Sequence, residues 1–171
     1  MIDKMGDRLK QLEGIEAGRI LIPNLPICVR VDGRAFHTFT RGMKRPYDID
    51  MSNAMIETMK YLVEKTDACL GYVQSDEISL ILSDRKEPMF GGRIQKLTSV
   101  IASMATAKFN EVIHKTFPDK PLAEFDCRVW NVPRPHTHYS SKTRVETMSF
   151  FPMILASCST TRHSIGQRQV S

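Results

Sequence analysis

Three acidic residues carry the chemistry that stands out in this sequence. Asp32 precedes Gly33 in Val29-Arg-Val-Asp-Gly-Arg-Ala-Phe-His, and Asp76 and Glu77 sit together in Gln74-Ser-Asp-Glu-Ile-Ser. Carboxylates are hard oxygen donors, and a glycine lets a backbone carbonyl come close. Such a set suits Mg²⁺, which prefers octahedral oxygen ligation and shares its shell with substrate phosphates. Two such ions can stabilise the attacking and leaving oxygens of an in-line phosphoryl displacement. On spacing alone a second reading stands beside this one: Asp is common in turns, and Asp32 and Asp76 would then be turn residues.

Arg93 and Lys96 follow Gly91-Gly92 at the start of a long helical pattern. Cations in a first helical turn oppose the helix dipole, so they are a poor choice for stability. They are a good choice for an anion, because helix N–H groups already point at it. The phosphates of a nucleoside triphosphate would suit them; two solvated surface cations are the competing reading. Phe36, His37 and Phe39 follow the first motif. A base or sugar could rest against them, although for Phe36 and Phe39 anchoring of the loop on the core is the favoured reading. For His37, polar and close to Asp32, nucleotide contact and solvation stay open. Lys44 and Arg45 either meet phosphates or are solvated. The chain offers no convincing Ser/His/Asp or Cys/His arrangement. Group transfer would therefore rest on positioning and charge neutralisation.

The acids need a scaffold that brings residue 32 to residues 76 and 77. Ile27, Val29 and Val31 alternate with Cys28, Arg30 and Asp32, and this period of two predicts a strand over 26–32. Asp50 or Ser52 would cap a helix whose buried stripe is Met55, Met59, Leu62 and Val63. ACLGYVQ and ISLIL read as short strands around Ser75-Asp-Glu, a hairpin with acids at its tip. Ile94, Leu97, Ile101, Met104, Ala105, Val112 and Ile113 recur at threes and fours, which predicts a long helix. EFDCRVWNV reads as a last strand, and residues 5–18 as a short helix ahead of the first. The order β-α-β-β-α-β predicts an α+β fold: the ferredoxin-like, palm-like antiparallel sheet with helices on one face. There the first strand and the hairpin are neighbours, and their carboxylates converge at one sheet edge. A fold does not name a function by itself.

A chain of 171 residues with 42% hydrophobic and 25% charged residues has the totals of a globular protein with a sizeable core. No apolar run approaches the roughly 20 residues that cross a membrane, and the charged N-terminal segment lacks the apolar stretch of a secretory signal. The expectation is a cytoplasmic protein without a membrane partner. The net charge of +5 is uneven: residues 133–171 carry five Lys and Arg against Glu146 alone, so it is weak evidence for nucleic acid. Cys28, Cys69, Cys127 and Cys158 form no CxxC pair, which argues against a zinc site or disulfide framework and for buried reduced thiols.

Met5-Gly-Asp-Arg-Leu-Lys, the Asp32 motif, the Asp76 motif and Phe125-Asp-Cys-Arg-Val occur in this order and spacing. In these the chain resembles the tRNA-His guanylyltransferase family, including relatives that repair tRNA 5′ ends, over about residues 3–132. The resemblance implies a palm-like catalytic domain with two Mg²⁺ ions held by Asp32, Asp76 and the Gly33 carbonyl, with Glu77 as an acid beside them. It implies GTP or ATP contacts at Asp32, Gly33, Arg34, Ala35, Phe36, His37, Ser75 and Asp76, and triphosphate contacts at Arg93 and Lys96. It implies nucleotide addition to a tRNA 5′ end in the 3′–5′ direction. A 5′-monophosphate is first activated by a nucleoside triphosphate, and the 3′-hydroxyl of the incoming nucleotide then attacks. Family members form dimers or tetramers.

Beyond Val132 the resemblance stops. Family members continue with a helix carrying Trp-Arg-Gln-x-Asp, to which Thr161-Arg-His-Ser-Ile is a faint echo. Residues 133–171 have poor periodicity and one apolar run, FFPMILA. They are expected to be a divergent tail, truncated or disordered, after a catalytic domain over 1–132. A truncation or a shifted reading frame would account for them, with a protease-sensitive tail as the consequence. The alternative to the enzyme is a palm module that binds nucleotide and metal without turnover; a nucleotide cyclase on a related palm leaves the Asp76 motif unexplained.

Overall fold

Strand β1, Ile27–Gly33, is the axis of the fold in the computed structural model, which describes residues 4–83 and 86–132. The other strands are β2 (Ala68–Gln74), β3 (Glu77–Leu82) and β4 (Phe125–Asn131). They form one sheet in the order β2-β3-β1-β4, every pair antiparallel. This is the ferredoxin-like βαββαβ arrangement that the alternating pattern predicts. Ile27, Val29 and Val31 are buried against the helices, so Cys28, Arg30 and Asp32 point to the other face.

Among the described residues four α-helices accompany the sheet: α1 (Lys4–Ala17), the single turn α2 (Phe36–Phe39), α3 (Ile49–Thr66) and α4 (Ile94–Ile113). α3 and α4 pack on each other, α3 against β2 and α4 against β4. Leu97, Ile101, Ala105, Phe109 and Ile113 are the buried stripe of α4, repeating every four residues. Met55 and Leu62 are fully buried on α3, while Met59 and Val63 press on Gly71, where a Cβ would stand 2.4 Å from the Met59 sulfur. Burial on this scale contributes about 1.5–3 kcal/mol for each large apolar side chain.

Several local expectations change. The cap of α3 is Asp48, not Asp50 or Ser52: its Oδ1 accepts the amides of Asp50 and Met51 and its Oδ2 that of Lys44, so the helix starts earlier. α2 is an extra helical turn in the loop after β1, entered through Ala35 with φ 53. α1 forms, but its stripe Met5, Leu9, Leu12 and Ile15 remains 56–76% exposed. Cys28 and Cys127 are free thiols, pushed up to about 12 by burial and therefore inert. Cys69 Sγ lies 3.2 Å from the Ile81 carbonyl. All these elements belong to the unit Met1–Val132. The tail expected over 133–171 lies outside the described residues.

Candidate active site

Asp32 and Gly33 end β1, and Ser75 and Asp76 make the two-residue turn between β2 and β3. Ser75 takes a left-handed conformation, φ 57, which lets the chain reverse in so few residues. The two motifs meet through the backbone: the Gly33 N–H donates to the Asp76 carbonyl at 3.1 Å. Glu77 starts β3 directly opposite Asp32. The three acids named from the sequence therefore gather at one end of the sheet. Gly33 is required there, because a Cβ would lie 2.3 Å from the Phe36 ring.

Gly33, Ala35, Phe36, His37, Ser75 and Asp76 line a cavity of about 360 Å³ together with Thr40 and Met51. Thr40, Met51 and Ser75 also line a larger cavity of about 790 Å³, whose other walls include Lys44, Arg45, Tyr47 and Asp48. Each cavity is within the size range of small-molecule sites, about 300–1,000 Å³. Exposed His37 lines the smaller cavity, and Lys44 and Arg45 line the larger one. Phe36 is 3% exposed and packs against Phe39, Phe109 and Phe125 with ring centres 5.1–5.5 Å apart, so it anchors the loop while forming part of the wall. Burial pushes the Asp48 carboxyl up, but the amides of Lys44, Met51 and Asp50 outweigh it and hold the group below its usual range.

Asp32 lines neither cavity, although its neighbour Gly33 lines the smaller one. Across the strands it is level with Glu77 on β3 and Asp126 on β4. Arg128 bonds Asp126 at 3.2 Å and reaches Asp32 Oδ2 at 4.0 Å; Arg30 approaches Glu77 at 3.7 Å. The helix-free side of this end thus carries a row of acids held by two arginines. Arg34 turns away from the cavity: its side chain pairs with Glu124 and its amide donates to the Glu124 carbonyl at 2.8 Å.

Arg93 and Lys96 do not join this group. The chain entering β1 is tied to the start of α4, with Leu21 N–H on Gly92 O at 2.9 Å and Ile94 N–H on Arg19 O at 3.1 Å. The last turns of α4 lie at the opposite end, where Phe109 touches Phe36 and Phe125. At 1.5 Å per residue, Arg93 and Lys96 stand about 20 Å from the acids of their own chain. There Arg93 Nε bonds the Phe90 carbonyl at 3.3 Å and Lys96 lies over the Phe90 ring at 5.3 Å.

A family model described as tRNAHis guanylyltransferase matches residues 6–133. The chain belongs to this family. An uncharacterised protein of Acanthamoeba polyphaga mimivirus is 37% identical over 119 residues, covering 63% of this chain and 40% of that one. The tRNA(His) guanylyltransferase of Saccharomyces cerevisiae is 33% identical over 111 residues, 63% of this chain and 46% of that one. A bacterial tRNA(His) guanylyltransferase-like protein, solved in complex with GTP, superposes with a TM-score of 0.73 at 44% identity, covering 76% of this chain and 64% of that one. The same description with ATP gives 0.73 and 44%, covering 76% and 60%. The chain spans about half the length of the curated relatives it matches.

Sequence reasoning missed Asp126, Arg128 and the double role of Asp48. The first two carry a signal only after β4 is registered on β1, since their distance from Asp32 along the chain hides the row they complete. Asp48 sits one residue ahead of the apolar-periodic segment, where an N-cap belongs.

Proposed function

We propose that this chain is a nucleotidyltransferase adding a guanylate, or a template-directed nucleotide, to the 5′ end of tRNA in the 3′–5′ direction. Residues 1–132 are its catalytic domain, GTP or ATP its nucleotide, and the cytoplasm its compartment. The observation that carries this reading is the Gly33–Asp76 backbone hydrogen bond, which joins the two acidic motifs beside a nucleotide-sized cavity. No described helix is long and apolar enough to cross a membrane.

The donor set fits Mg²⁺. Among the described residues no trio of His, Cys, Asp or Glu side chains can cage a metal. The hard oxygens of Asp32, Asp76 and the Gly33 carbonyl would suit an ion that takes the rest of its shell from water and substrate phosphates. Asp32, Asp76 and the Gly33 carbonyl would hold two ions, with Glu77 adjacent; bound there, they would neutralise phosphate charge during the displacement. The cavity wall from Gly33 to His37, with Ser75, orients the nucleotide. Lys44 and Arg45 meet its phosphates, and Arg34 fixes the loop through Glu124.

Arg93 and Lys96 enter this reading through a second copy. Their distance from their own acids leaves a partner's nucleotide as the triphosphate they contact, so the working unit is a homo-oligomer, a dimer or tetramer. The test is to incubate the protein with Mg²⁺, labelled GTP and a 5′-phosphorylated tRNA lacking its first nucleotide. Label on the RNA, lost in Asp76→Ala, supports the reading. No label with GTP binding retained would replace it with a binding module that lacks turnover.

A further inference from the structure

We infer that Lys120 is a positioning residue for the nucleotide cavity. Lys120 lies in the connection between α4 and β4 and does not line either cavity. Its Nζ donates to the Phe39 carbonyl at 2.7 Å and to the Arg41 carbonyl at 2.8 Å, and it sits over the Phe39 ring at 5.6 Å. Those two carbonyls bracket Thr40, one of three residues, with Met51 and Ser75, that line both cavities. One ammonium therefore fixes the backbone on either side of the wall they share. The hydrogen bonds are charge-assisted, and this class is about twice as strong as neutral pairs. The Phe39 carbonyl ends a single-turn helix, where few intrahelical partners exist, and the Arg41 carbonyl lies in the turn that follows.

The anchor is itself held. Buried Asn110 on α4 donates to the Ala123 carbonyl at 2.9 Å and accepts the Ala123 amide at 2.9 Å. The Lys120 amide donates to the Phe117 carbonyl, and its own carbonyl lies 3.1 Å from His114 Nε2. Lys120 thus projects from a connection pinned to the core and transmits that rigidity to the wall. The acids depend on different supports, the β1–β3 pairing and the Ser75-Asp76 turn. Loosening the wall weakens nucleotide binding and leaves the transfer step untouched once nucleotide is bound. The inference rests on the nucleotide reading of the cavities.

The experiment compares full-length wild type, Lys120→Met and Lys120→Arg. It reads the affinity for a fluorescent GTP analogue, the transfer kinetics and amide hydrogen exchange over residues 40–44. Lys120→Met keeps an unbranched side chain of similar length and removes the donor. Its Kd and KM should rise about five- to tenfold with kcat within about twofold, and exchange over 40–44 should quicken locally. Lys120→Arg, which can reach both carbonyls, should return Kd to within about twofold of wild type. Equal Kd in wild type and Lys120→Met, or a fall in kcat with KM unchanged, overturns the inference. If Lys120→Met does not fold, Lys120→Leu, which also lacks a donor, takes its place under the same criteria. If wild type binds no nucleotide, the proposed function fails separately, and exchange decides for Lys120: unchanged rates over 40–44 overturn the clamp, faster rates uphold it.

Discussion

The two ends of the sheet carry similar signals and are built for different work. Each has glycine, a left-handed turn and clustered charge: Asp32-Gly33 and Ser75-Asp76 at one end, Gly91-Gly92 with Arg93 and Lys96 at the other. At the acid end the backbone of one motif touches that of the other and two cavities open beside them. At the basic end the cations rest on Phe90 and line neither cavity. Motifs state which chemistry is available; topology decides which groups meet.

The strongest way to break this comparison is to mix two inactive variants. Asp76→Ala lacks an acid and Arg93→Ala/Lys96→Ala lacks the cations; in the proposed oligomer each can supply what the other lacks. Mixed and reassociated at equal amounts, they should regain about a quarter of wild-type transfer if subunits of a two-fold pair assort at random. No recovery, in heteromers verified by a tag on each variant, would return the cations to a role in their own chain or none.

Smaller effects sharpen the contrast in packing. Gly33→Ala should lower stability by about 1–3 kcal/mol in urea titration, because the new methyl meets the Phe36 ring. Gly91→Ala, with φ +63 and open space around it, should cost about 1 kcal/mol for the left-handed backbone alone. Equal losses at the two glycines would contradict the tighter build of the acid end.

Asp48→Ala should cost about 1 kcal/mol through loss of the α3 cap. The Asp48 carboxyl is held below its ordinary 3.8, so its contribution is present above that pH and lost as pH falls through the lower folded value. The stability gap between wild type and Asp48→Ala should therefore shrink below pH 3.8, and a gap that widens there would contradict the assignment. Least of all, Glu124→Ala should change stability by under about 1 kcal/mol, since its pair with Arg34 is exposed.

The strands and long helices were legible because their periodicities are regular: Ile27, Val29 and Val31 for β1, and Leu97, Ile101 and Ala105 for α4. The βαββαβ order followed from them, and with it the meeting of Asp32 with the hairpin. What stayed hidden depends on registration and direction. Asp126 and Arg128 read as strand residues until β4 is laid on β1, and Arg93 joined the acids until the direction of α4 separated them. The exposed stripe of α1 shows the same limit, since spacing predicts an amphipathic helix and says nothing of what it packs on.

In the proposed site, Asp32 and Asp76 act together with the adjoining cavity to bind a nucleotide with its metal. Its most direct test is the affinity for GTP with and without Mg²⁺, in wild type, Asp32→Asn and Asp76→Asn. The account predicts that Mg²⁺ tightens binding in wild type by about tenfold or more, and that either substitution removes this gain while the metal-free affinity stays nearly constant. A Mg²⁺ gain that survives both substitutions would contradict it.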